Sequence, residues 1–92
     1  MYMEDEKILN DGKRFYLETP SGAAELLYKV SGNSMSIYHT FVPEEERGKG
    51  LAEKLAKAAF EFARRKGMKV RPDCPYIPKF IAKNPEYAKD SE

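Results

Sequence analysis

Apolar and polar residues alternate along the first part of the chain, then change to helical spacing from Leu51 onward. Arg14-Phe15-Tyr16-Leu17-Glu18, Ala24 to Val30 and Ser34 to Val42 are alternating runs rich in aliphatic, β-branched and aromatic residues, which predicts three strands. Lys7-Ile8-Leu9 predicts a shorter strand before them. Asn10-Asp11-Gly12-Lys13, Pro20-Ser21-Gly22 and Gly32-Asn33 supply turn chemistry between the runs, so the strands form an antiparallel meander. Pro43 ends the last of them, and Glu44, Glu45 and Glu46 read as an acidic, solvated link. Leu51, Leu55, Ala59 and Phe62 then recur at helical spacing, with Ala52, Ala58 and Ala63 beside them. Glu53/Lys57 and Glu61/Arg65 stand four apart in the favourable order, and Gly67 follows Arg64, Arg65 and Lys66 as a C′ glycine would. Met68 to Arg71 predicts a short strand, and Tyr76 to Lys83 a short helix entered through Pro75. Strand, helix, strand implies a parallel pair joined by a right-handed crossover. The expected fold is α+β: an antiparallel meander plus one parallel strand, with the main helix packed on one face.

A chain of 92 residues supports one domain, 1–92, with a modest core, and residues 1–6 and 88–92 are expected to be loose ends. No apolar run approaches membrane-spanning length, and the acidic start, Met1 to Lys7, does not read as a secretory signal. A net charge of +1 gives no general reason to expect nucleic-acid binding. The single cysteine cannot form an internal disulfide, which suits a reducing, cytoplasmic setting. The edges of a small sheet could support a homodimer.

Chemistry concentrates in Arg47-Gly48-Lys49-Gly50-Leu51-Ala52, where strand gives way to helix. Two glycines let the backbone turn tightly and admit a close ligand. The helix after them presents unpaired N–H groups and the positive end of its dipole, which together favour a pyrophosphate or another anion. Neither Gly-x-x-x-x-Gly-Lys-Ser/Thr nor Gly-x-Gly-x-x-Gly is present, so P-loop and dinucleotide folds fit less well. Cys74 precedes Pro75 and is expected at the N-cap of the short helix, where the dipole favours thiolate; the alternative is a buried cysteine acting as a small hydrophobe. His39 shares a face with Met35, Ile37 and Phe41 if alternation persists. It reads either as a hydrogen-bonded residue at the core edge or as a general base for an amine. With one histidine and no ligand pair at zinc spacing, a metal site is not expected.

The pattern Arg-x-x-Gly-x-Ala, met by Arg47, Gly50 and Ala52, resembles the acyl-CoA pyrophosphate loop of the GCN5-related N-acetyltransferases. His39-Thr40, Pro72-x-Cys74-Pro75-Tyr76 and Asn84-Pro85-Glu86-Tyr87, in this order, are similar to the small YjdJ-type branch, and the likeness runs from about Gly12 to Tyr87. The resemblance implies acetyl-CoA as a small-molecule acyl donor and an amine acceptor, with backbone N–H groups of Gly48 to Ala52 on the pyrophosphate. Arg47 would support the loop or the phosphates, with Lys49 foremost among Lys49, Lys79 and Lys83 as a phosphate-side cation. It also implies a pantetheine arm entering between strand 34–42 and strand 68–71, pairing with the backbone of Phe41 and Val42. Cys74 would then lie near the thiol end of CoA, as acyl acceptor or as pocket lining. Larger members use a tyrosine after the fifth strand to protonate the leaving thiolate; Tyr76, Phe80 and Tyr87 read first as packing residues, and the sequence aligns none of them to that role. Larger members carry two helices after the first strand that help form the acceptor site; here Leu17-Glu18 runs through a turn straight into another strand. That departure leaves the acceptor side open, which suits a peptide or protein amine. It also keeps a second reading in play, a CoA-binding or sensing module without transferase activity.

Overall fold

The computed structural model describes residues 7–92; the expected loose N-terminus, residues 1–6, lies outside the described residues. Strands β1 (Leu9–Asn10), β2 (Arg14–Thr19), β3 (Gly22–Ser31) and β4 (Ser34–Phe41) form an antiparallel meander. Helix α1 (Leu51–Arg65) then carries the chain to β5 (Lys69–Pro72), which pairs in parallel with β4. Strand order in the sheet follows the chain, β1-β2-β3-β4-β5. Helix α2 (Tyr76–Lys83) and a 3-10 turn, Pro85–Asp90, complete the described fold.

The first turn is fixed by short side chains acting on the backbone. Asn10 Oδ1 accepts from the Gly12 N–H, and Asp11 Oδ1 accepts from the N–H groups of Lys13 and Arg14. The end of α1 is a Schellman motif. Gly67 takes φ +72, its N–H bonds the Arg64 carbonyl, and the Met68 N–H bonds the Ala63 carbonyl. That use of Met68 starts β5 at Lys69, one residue later than the apolar pattern predicts.

One face of the sheet, including Phe15, Leu17, Leu26, Met35 and Ile37, is buried against α1. Ala56, Ala59 and Ala63 are fully buried on the helix, and their small side chains let it lie close to the sheet. Periodicity singles out Phe62 as a core position, yet Phe60 is the fully buried one and Phe62 only partly so. The reason lies in later elements: Phe80 of α2 and Tyr87 cover Phe60, with ring centroids 5.5 and 5.3 Å away.

The expected loose C-terminus at 88–92 is docked instead. Asp90 is buried and accepts from Arg64 Nη2 at 2.6 Å, Ser91 bridges to Val70, and the Glu92 N–H bonds the Val70 carbonyl at 2.7 Å. These bonds to α1 and β5 are long-range in sequence, so local composition does not reveal them.

Two measurements test this packing. Phe60→Ala should cost about 3–5 kcal/mol in urea unfolding, and Phe62→Ala clearly less, because only Phe60 leaves an enclosed cavity. The Arg64 guanidinium holds the Asp90 carboxyl below its usual range despite burial. A carboxyl lowered in the folded state stabilises it above the unfolded pKa, and that contribution is lost as pH falls through the folded value. Asp90→Asn should therefore lower the melting temperature at neutral pH and flatten its decline into the acid range, as followed by circular dichroism.

Candidate functional site

Between β3 and β4 the register shifts by one residue: Leu27 faces His39, Tyr28 faces Ile37, and Tyr38 is left without a partner. Such a bulge reverses which residues point to which face. Met35 and Ile37 are buried under α1, but beyond the bulge the more enclosed residues are Thr40 and Val42, while His39 and Phe41 are exposed. His39 therefore does not share a face with Met35 and Ile37. It stands beside Leu27 on the side of the sheet that α1 does not cover.

Pairing of β4 with β5 ends at Ile37 and Pro72, just where the bulge begins. Beyond that point the chain after β5 turns away into α2, and a gap opens along the last residues of β4. Cys74 is nearly fully buried beside this gap, with its thiol donating to Thr40 Oγ1 at 3.4 Å, and does not itself line the cavities there. Pro75, not Cys74, occupies the cap position of α2, and no side chain caps that helix. The expected capping thiol is instead turned toward β4. Asp73 faces away from it: Oδ2 accepts from Ser36 Oγ at 2.5 Å, and Arg71 Nε pairs with the same carboxylate.

The turn before α1 is built by two left-handed glycines, Gly48 at φ +85 and Gly50 at φ +79. A Cβ on either would meet nothing within 4 Å, so it is backbone conformation, not crowding, that calls for glycine. The first bond of the helix runs from the Lys54 N–H to the Gly50 carbonyl, which leaves the N–H groups of Leu51, Ala52 and Glu53 without a helical partner. Arg47 braces the turn by donating from Nε to the Val42 carbonyl at 3.0 Å. That carbonyl, expected to be free for a ligand, already has this donor.

The acidic link is not wholly solvated. Glu44–Glu46 forms a 3-10 turn in which Glu46 is buried, its carboxylate 2.8 Å from Lys49 Nζ. Lys49, aided by the Ser21 and Thr19 hydroxyls, holds the Glu46 carboxyl below its usual value against burial. Through those two hydroxyls the Glu46 carboxylate anchors the turn to the β2–β3 connection. It also turns the Lys49 side chain away from the cleft, toward Glu18, Thr19 and Pro20.

Two adjoining cavities run along this junction and share Val42, Arg47, Ala52 and Tyr76. The inner one, about 300 Å³, also reaches Thr40 and Phe41. The outer one, about 240 Å³, is lined in addition by Glu46, Gly48, Gly50, Leu51, Glu53 and Lys83. The cleft thus gathers Phe41, Val42, Arg47, Gly48, Gly50, Leu51 and Ala52 from the sequence candidates; Lys49 lines a different cavity, and neither Lys79 nor His39 is in its lining. Of the three aromatic candidates only Tyr76 faces the cleft, since Phe80 and Tyr87 are buried in the core. Partial burial, with the Glu53 charge adding to it, raises the Tyr76 phenol above its ordinary pKa of 10.0, so it carries its proton at neutral pH. Sequence periodicity offers no means of choosing Tyr76, because the choice depends on how α2 packs. Among the described residues, no three His, Cys, Asp or Glu side chains cluster as metal ligands, and no helix is long and apolar enough to cross a membrane.

The chain is similar to known proteins. Residues 14–90 match the family model described as GCN5-related N-acetyl-transferase. Protein NATD1 of Xenopus tropicalis is 41% identical over 63 residues, which make up 67% of this chain and 58% of that protein. Protein NATD1 of Danio rerio is 43% identical over 63 residues, covering 67% of this chain and 57% of its own length. The chain thus spans a little under three fifths of the curated relatives it matches. The solution structure of a GCN5-like protein from Staphylococcus aureus superposes with a TM-score of 0.78 at 30% identity, over 98% of this chain and 91% of that one.

The glycine geometry makes a prediction that needs no ligand. Gly50→Ala should destabilise the fold by about 1–2 kcal/mol through its left-handed backbone, and Gly50→Asn by less, as read from urea midpoints.

Proposed function

The chain belongs to the GCN5-related N-acetyltransferase family, and from that premise we propose that it binds acetyl-CoA and transfers the acetyl group to an amine, on a peptide or protein. The observation that carries this reading is the continuous cleft from the start of α1 to the parting of β4 and β5. Its outer part offers what a diphosphate requires, unpaired helix N–H groups beside glycines with open space over them. When bound, acetyl-CoA supplies an activated thioester. The amides of Gly48 to Ala52 hold the pyrophosphate, and Arg47 keeps the turn rigid through Val42. The edge of Phe41 and Val42 guides the pantetheine arm inward.

Tyr76 holds a proton at its phenolic oxygen and is the side chain suited to give it to the departing thiolate. Cys74 lies behind the inner cavity, against Thr40, and is not in its lining. Its burial and its bond to Thr40 favour direct transfer to the amine over an acyl-cysteine intermediate. His39 stands on the uncovered face and serves as base for an amine that approaches from that side. The direct β2–β3 turn, Thr19 to Gly22, leaves this approach unobstructed by helices, which suits an extended peptide.

Calorimetric titration with acetyl-CoA and with CoA, followed by turnover assays on lysine-containing peptides, tests the reading. Micromolar binding is expected, lost in Gly50→Glu, which adds a charge at the mouth of the anion site. Cys74→Ala should keep most turnover, whereas Tyr76→Phe should lower kcat by about 10²-fold or more with little change in binding. Loss of turnover in Cys74→Ala together with acetyl label on Cys74 would establish the covalent route instead. Binding without turnover on any amine would leave a CoA-binding module, and absence of binding would overturn the proposal.

A further inference from the structure

We infer that Lys83 reads the 3′-phosphate of CoA and so makes the protein selective for CoA over its dephosphorylated form. The inference rests on the acetyl-CoA reading of the cleft and assigns a residue to the one charged group of the ligand that the α1 turn does not serve.

The cleft has a direction. Its inner cavity reaches Thr40 and Phe41, and its outer cavity reaches Gly48, Gly50 and Glu53. A thioester directed to the inner end leaves the adenosine, with its ribose phosphate, at the outer end. Lys83 lines only the outer cavity, whereas Tyr76 lines both. The two residues are seven apart on α2, close to two full turns, so they share a helix face with about 10 Å between them along the axis. Lys83 thus shares the outer cavity with the start of α1, contributed by the other helix, and is absent from the cavity at the end of β4.

Charge supports the assignment. Four side chains that are charged at neutral pH line the outer cavity: Glu46, Arg47, Glu53 and Lys83. Glu46 is paired with Lys49, and Glu53 lies 3.8 Å from Lys57. Arg47 gives its Nε–H to the Val42 carbonyl and lines both cavities, so its charge is not particular to the outer one. Among the described residues Lys83 has no ion-pair or hydrogen-bond partner for its ammonium, and it is exposed at the rim. A lysine is a compact charge on a flexible stem, suited to a phosphate monoester that needs no fixed planar geometry. Lys49 and Lys79, the other lysines that the sequence offers for phosphate, are not in this lining.

Titration with CoA and with dephospho-CoA, on the wild type and on Lys83→Gln and Lys83→Arg, tests the inference. The wild type should bind CoA about tenfold more tightly than dephospho-CoA, the scale of one charged hydrogen bond. Lys83→Gln should erase that ratio by weakening CoA alone, Lys83→Arg should retain it, and the ratio should shrink as salt is raised. Equal affinities of the wild type for the two ligands would overturn the inference and leave the acetyl-CoA reading standing. Equal weakening of both ligands by Lys83→Gln would also overturn it, placing Lys83 on the pyrophosphate or in the fold. Failure of the wild type to bind either ligand would overturn both the inference and the function it rests on.

Discussion

The loss of pairing between β4 and β5 after Ile37 and Pro72 is the constraint on which the site depends. A parallel pair that continued would bury the edge of β4 in ladder hydrogen bonds and close the inner cavity. The bulge at Tyr38 occurs at the same point and reverses the strand's faces. Thr40 and Val42 are thereby brought to the cleft, His39 is released to the surface, and Phe41, though exposed, still borders the inner cavity. One irregularity in the register thus divides the region into a cleft under the helices and an open side across the sheet.

The anion end depends on a second arrangement. An α-helix exposes N–H groups at its start wherever it occurs, so a helix N-terminus alone specifies little. Here the approach is fixed on both sides. Arg47 holds the turn to the end of β4, and the buried Glu46 carboxylate, paired with the exposed Lys49, holds it to the β2–β3 connection through Ser21 and Thr19. Two left-handed glycines then direct the chain into α1. The N–H groups at the start of α1 are thus held in place by the fold itself, which would lower the ordering cost of binding an anion there.

Much of this architecture was legible in the sequence because it is written locally. Alternation from Arg14 to Phe41 and the Asn-Asp-Gly turn specify the meander, and Gly48, Gly50 and Gly67 mark the two ends of α1. What escaped was set by contacts between distant residues. The bulge is a property of the β3–β4 pair and not of β4 alone, so alternation put His39 on the wrong face. Phe60 is buried only because Phe80 and Tyr87 arrive over it, and the C-terminal residues are held by Arg64 and Val70. Three consecutive glutamates look solvated, and only the tertiary position of Lys49, Thr19 and Ser21 explains why the third is not.

The central claim is that the cleft between the start of α1 and the free end of β4 is where the acyl donor binds. The most direct test is to follow backbone amide shifts of the labelled protein as CoA is added. The account predicts the largest shifts at Gly48 to Glu53 and at Thr40 to Val42, with little change at the far Gly32–Asn33 turn. Shifts clustered at that far end, or none at millimolar CoA, would contradict it.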